Sequence, residues 1–95
     1  MAIVITKEMG LTHREFYRTF PSVAGEWAWR VADDVVTLDH PSGPVTIYLE
    51  PERRRTIALI SLPATTLRFE FATHDQAEVD AFIQRFDTRF RRGGG

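Results

Sequence analysis

Trp27-Ala28-Trp29-Arg30-Val31-Ala32-Asp33-Asp34-Val35-Val36-Thr37-Leu38-Asp39 holds two strands and the turn between them, and its phase propagates to the rest of the chain. Apolar side chains recur at every second position on both sides of Asp33-Asp34, the period of a half-buried strand. A two-residue turn at Asp33-Asp34 sets Trp29 opposite Leu38 and Val31 opposite Val36. These four then face one side of a sheet, with Arg30, Val35, Thr37 and Asp39 on the other.

Further along the chain three more runs alternate in the same way, giving five strands predicted at 26–32, 35–39, 44–50, 55–62 and 65–72. The connections are too short for parallel crossovers, which take a dozen residues or more, so the order is an antiparallel meander. A turn at Ser42-Gly43 sets Leu38 against Ile47, and the loop Pro51-Glu52-Arg53-Arg54 sets Ile47 against Ala58. A last turn at Pro63-Ala64 sets Ala58 against Phe69. Each register keeps the aromatic and aliphatic set on one face, and a slip of one residue would turn a strand inside out. Residues 2–6 offer an extra edge strand.

Helices flank the meander. Thr12-His13-Arg14-Glu15 has the spacing of a capping box, with Leu11 and Phe16 placed as a hydrophobic staple. This short helix is expected to stop near Phe20, because Pro21 follows. A long helix is predicted over 74–91, where Val79, Phe82, Ile83, Phe86 and Phe90 form a stripe at the helical period. Acids lead it and arginines trail, as the helix dipole favours, and Thr73 heads a second capping-box pattern. The fold class is α+β: a short N-terminal helix, a five-stranded antiparallel meander and a long C-terminal helix, both helices on the aromatic face. Residues 1–92 make one globular domain and 93–95 a flexible glycine tail.

Ninety-five residues leave room for one domain, and 43% hydrophobic with 26% charged residues is the composition of a folded chain. Twelve basic against thirteen acidic side chains give a net charge of -1, so no global field recruits nucleic acid or anionic lipid. No apolar run approaches the roughly 20 residues of a membrane span, and without cysteine there is no disulfide, thiolate nucleophile or cysteine-built metal site. The short apolar run Ile3-Val4-Ile5 is followed, not preceded, by Lys7, the reverse of a secretory signal, so the cytoplasm is the default location.

Candidates for chemistry are few. His13 and His74 read as exposed residues in first helical turns, and His40 opens the turn that runs to Pro44. Asp33 and Asp34 close one end of a strand and Asp39 and His40 the other, about 17 Å apart at ~3.3 Å per residue, too far to share a metal. No metal and no cofactor is expected. Ser22, Ser42 and Ser61 lie in no nucleophile-elbow sequence, and the six glycines build no phosphate loop, so an enzyme is disfavoured. Arg91-Arg92-Gly93-Gly94-Gly95 resembles the tails of ubiquitin-like modifiers and sulfur carriers in those residues alone, and glycine is the ordinary stop of a helix.

Two surfaces remain. On the face away from the helices the registers gather Val35, Tyr48, Ile57 and Leu59 as an apolar centre rimmed by Arg30, Arg68 and Glu70, the layout of a modest protein interface. Arg53, Arg54 and Arg55 with Arg85, Arg89, Arg91 and Arg92 make a basic patch if loop and helix end meet. The first reading of function is therefore a non-catalytic protein-interaction or accessory domain, self-associating (a homodimer) or docking one partner through the open face. The alternative is a small ligand-binding or enzymatic domain with a pocket between the C-terminal helix and the sheet, near Trp27, Trp29 and Phe86. A third is an arginine-patch binder of an acidic partner or of nucleic acid, the latter disfavoured because most aromatics point into the core.

Overall fold

In the computed structural model, which describes residues 2–93 and the side chains of residues 2–91, both positions of the Asp33-Asp34 turn have positive φ, 52° and 59°. That is what a mirror-image two-residue hairpin demands, and Trp29 lies opposite Leu38 and Val31 opposite Val36. The elements run β1 (Ile3–Met9), α1 (His13–Ala24), β2 (Trp29–Ala32), β3 (Val35–His40), β4 (Gly43–Leu49), β5 (Arg53–Ile57), β6 (Ile60–Phe71) and α2 (Gln76–Gly93). Every pairing is antiparallel, in the order β1-β6-β4-β3-β2, with β5 on β6. The α+β architecture of two helices on a largely meandering antiparallel sheet is the one the sequence predicts. The extra edge strand exists too, longer than 2–6 and paired along β6 from Ile3↔Phe71 to Met9↔Thr65.

Residues 55–62 are not a strand of their own. The chain reverses at Ala58-Leu59, in the middle of that run, and β6 continues without a break from Ile60 to Phe71. β4 therefore pairs directly with β6, Ile47 opposite Phe69, where the sequence reading had placed Ala58 between them. Pro51 and Pro63 mislead because proline usually marks a turn. Here the Glu50 amide still donates to the Thr66 carbonyl at 2.9 Å, and pairing resumes at Arg53↔Ala64. Pro51 and Glu52 thus face the single residue Thr65, a β-bulge that joins β4 to β5 as one bent strand. Pro63 sits where β6 has a partner on one side only, the setting in which a strand tolerates a missing N–H. The β3–β4 turn falls at Pro41-Ser42, so Leu38 meets Val45, a shift of two residues that leaves the faces unchanged.

α1 has the expected capping box, Thr12 Oγ1 accepting from the Glu15 amide at 3.1 Å and Glu15 Oε1 accepting from the Thr12 amide at 2.9 Å. It runs past Pro21 to Ala24, four residues beyond Phe20. Burial of Val23 and Ala24 offsets the hydrogen bond that Pro21 cannot make. α2 starts at Gln76, with Asp75 as its cap: the Asp75 and Glu78 carboxylates each accept the other's amide, at 2.8 and 3.0 Å.

Phe16 and Phe20 of α1 and Phe82, Phe86 and Phe90 of α2 pack against Val36, Leu38, Val45, Ile47, Leu67, Phe69 and Phe71 of the sheet. Phe86 is the hub, its ring 5.0 Å from Phe69 and 4.4 Å from Phe90.

Candidate functional site

Past the bulge, β5 and the first residues of β6 leave the body of the protein as a two-stranded ribbon. Every residue from Arg53 to Leu62 is exposed. Cross-strand pairing puts Ile57 beside Ile60 and Arg55 beside Leu62 on one face, and Arg54 beside Pro63 and Thr56 beside Ser61 on the other. Ile57, Ile60 and Leu62 are 57%, 60% and 45% exposed, and Leu59 at the tip is 101% exposed. The remaining large exposed aliphatic side chains in the described residues are Val4 and Val31, so the apolar surface is concentrated on the ribbon. Ala58 turns the chain with φ 55°, a conformation disfavoured for a residue with a Cβ.

The open face of the sheet is polar and internally tied. Arg68 lies over the Tyr48 ring at 4.3 Å, and the Tyr48 hydroxyl donates to Glu70 at 3.0 Å. Arg30 pairs with Asp39 at 3.4 Å, and Val35 is half-buried opposite Tyr48. Five of the seven interface candidates, Arg30, Val35, Tyr48, Arg68 and Glu70, therefore share that face. Ile57 and Leu59 do not, because the reversal at Ala58-Leu59 carries them out along the ribbon, and the apolar centre expected around Tyr48 does not form.

The arginines also separate. Arg53 and Arg55 both reach Glu8, at 2.6 and 2.9 Å, and Arg53 also donates to Thr66, which places them on the open-face side. Arg54 turns the other way, to Ser61. Arg85, Arg89 and Arg91 belong to α2, on the covered side of the sheet, and the side chain of Arg92 lies outside the described residues, as do Gly94 and Gly95 of the tail. Among the described residues, the arginines of the loop and of the helix end do not come together into one basic surface.

No family model, no curated protein and no solved structure matches the chain. Its chemistry has to be read from its own residues.

A second site lies where α2 crosses the end of β3. Trp27, His40, Glu78, Ala81, Phe82 and Arg85 line a cleft of about 410 Å³. Of the three residues around which a pocket between the C-terminal helix and the sheet was expected, only Trp27 lines this cleft: Trp29 packs on Phe20 at 5.0 Å, and Phe86 has no exposed surface. The Ser42 amide donates to His40 Nδ1 at 3.0 Å, so that nitrogen must present a lone pair. His74 Nε2, 3.1 Å from the same atom, is then the donor, and the His40 hydrogen is on Nε2. Burial, reinforced by His74, holds the His40 pKa below the ordinary histidine value. Glu78 takes the Ser42 hydroxyl and the Asp75 amide, and these hydrogen bonds keep its carboxyl below the usual range.

His74 is buried, not exposed beside a cap, and its Nδ1 has no partner. His13 holds the bulge instead, its amide donating to Glu52 at 2.6 Å and its Nε2 lying 2.7 Å from the Glu50 carbonyl. Among the described residues no group of three or more His, Cys, Asp or Glu side chains could hold a metal ion, and no helix is long and apolar enough to cross a membrane. The sequence reading overlooked Arg85 as a cleft residue and His74 as the buried partner of His40. One signal was available for Arg85, which lies between Phe82 and Phe86 on the flank of the apolar stripe.

Proposed function

We propose that this chain is a non-catalytic interaction domain that uses the β5–β6 ribbon to engage an acidic, partly apolar segment of another protein. The carrying observation is the exposure of Ile57, Leu59, Ile60 and Leu62 together on one projecting hairpin. A fully exposed leucine contributes nothing to the core, and with Ile57, Ile60 and Leu62 it makes an apolar patch of the kind a partner covers.

Charge selects the partner. Antiparallel pairing of β5 with a second copy, centred on Arg55, would set Arg55 against its own image, flanked by Arg54 and Arg53 of both copies. Like charges directly opposite destabilise a strand pair, so self-association along this edge is disfavoured and an acidic strand fits it. Nucleic acid fits less well, because the ribbon has no aromatic ring on which a base could stack. The domain acts, on this reading, in the cytoplasm, the default location taken from the sequence.

A photo-crosslinking residue in place of Leu59, with Thr37 on the open face as control, tests this. The expected result is one heterologous product whose linked segment mixes acidic and apolar residues, formed from position 59 only and lost in Arg54→Glu. A product between two copies of this chain, or binding to anionic vesicles with no protein product, would overturn the proposal.

A further inference from the structure

The cleft beneath α2 sets unused arginine donors beside aromatic walls. Arg85 donates Nε–H to the Val23 carbonyl at 2.7 Å, closing the last turn of α1, and its guanidinium lies 4.4 Å over the Trp27 ring. One of five donors is used, and among the described residues no carboxylate pairs with it. Gly25, with φ 59°, lies close to the guanidinium, where a Cβ would stand 2.7 Å from the Arg85 Nη2 atom. His40 adds a second donor: with Nδ1 taken by Ser42 and His74, its Nε2–H is spare. Glu78, the acid of the cleft, accepts one hydrogen bond on each oxygen, from Ser42 and from Asp75. The walls between these groups are Trp27, Ala81 and Phe82.

We infer that this cleft binds a small monocarboxylate with a planar apolar body. The carboxylate sits on the unused edge of Arg85, where two parallel N–H groups match two oxygens, with His40 Nε2–H as a further donor. The body lies against Trp27 and Phe82, and about 410 Å³ suits a single-ring acid. Glu78 excludes dianions, since a second negative charge would face its carboxylate. The site shares no residue with the ribbon, so either stands if the other fails.

The two indole N–H signals of the protein provide the test, Trp27 lining the cleft and Trp29 serving as internal control. In an NMR titration with benzoate the Trp27 signal is expected to move saturably, with a Kd in the millimolar range or tighter, while Trp29 stays still. Neutral benzamide, bodiless acetate and inorganic phosphate should each bind at least about ten-fold more weakly. Arg85→Gln and, at the exposed mouth, Ala81→Glu should each weaken benzoate by a similar factor with the Trp29 signal unchanged. Absence of a saturable shift overturns the inference, as do equal shifts with benzamide or with acetate. Benzoate binding that survives Ala81→Glu also overturns it, whether or not Arg85→Gln alters the helix junction.

Discussion

The Ser42 amide and the His74 Nε2–H converge on one nitrogen, His40 Nδ1, at 3.0 and 3.1 Å. A proton added to His40 has to go on that nitrogen, where both donors already point. Protonation therefore breaks two hydrogen bonds, in addition to charging a ring packed among Trp27, Phe82 and His74.

The consequence is a pH dependence of defined sign. His40 has a lower pKa folded than unfolded, so the unfolded chain binds the extra proton first. Its contribution to stability is complete above the unfolded value near 6.5 and declines as pH falls below it, levelling off beneath the folded value. Urea unfolding between pH 8 and about 5 should show this loss. His40→Asn, whose Oδ1 replaces Nδ1 as acceptor but does not titrate, should flatten that part of the curve.

Gly43 is required by its neighbour. Its φ is 125°, and a Cβ there would stand only 2.0 Å from Thr73 Oγ1, which itself donates to the Ser42 carbonyl at 2.6 Å. Gly43→Ala should cost about 2–3 kcal/mol in urea denaturation, from backbone strain and the displaced hydroxyl together. Combined with Thr73→Ala the loss should be smaller than the sum of the two, by about 1 kcal/mol, because removing the hydroxyl opens the space. Strict additivity would show that the two positions are not in contact.

Ala58 carries the opposite expectation. Glycine relieves the left-handed strain at φ 55° but adds flexibility to the unfolded chain. The balance should favour Ala58→Gly by about 0.5 kcal/mol. Slower amide exchange at Ile57 and Ile60, the pair that closes the turn, would report it, and faster exchange would contradict it.

Core and ribbon should respond differently to truncation. Phe86→Ala removes the ring that joins α2 to Phe69 and Phe16 and should cost about 3–5 kcal/mol. Leu59→Ala deletes a side chain that touches water alone and should alter the unfolding free energy by less than about 0.5 kcal/mol. A thermal melt of the two variants beside the parent distinguishes them.

Much of this fold was legible because burial repeats with a period. The stripe from Val79 to Phe90 and the alternation around Asp33-Asp34 each have one solution that hides the apolar side chains, and both appear as expected. The ribbon was not legible for the converse reason. Reading 55–62 as one strand of the sheet folds Ile60 and Leu62 under it and sets Ile57 and Leu59 on its open face, whereas all four project on the ribbon. Ala58-Leu59 has none of the residues that favour a tight turn, whereas Pro51 and Pro63, which do, lie within the hairpin strands. The cleft depends on tertiary contacts between Ser42, His74 and Arg85, residues far apart in sequence that carry no shared spacing, so only their convergence in space defines it.

The bulge at Pro51-Glu52 isolates the geometry of one end of a long hairpin from that of the other. Core registers are set between Val45 and Leu49 on one strand and Leu67 and Phe71 on its mate. Inserting one residue per strand beyond Arg53 would lengthen the projecting arm by ~3.4 Å and exchange its two sides, leaving those registers untouched. Inserting two would lengthen it with the same side outward. Reach and handedness of the arm are thus adjustable in the gene by small paired insertions, without cost to the globular part.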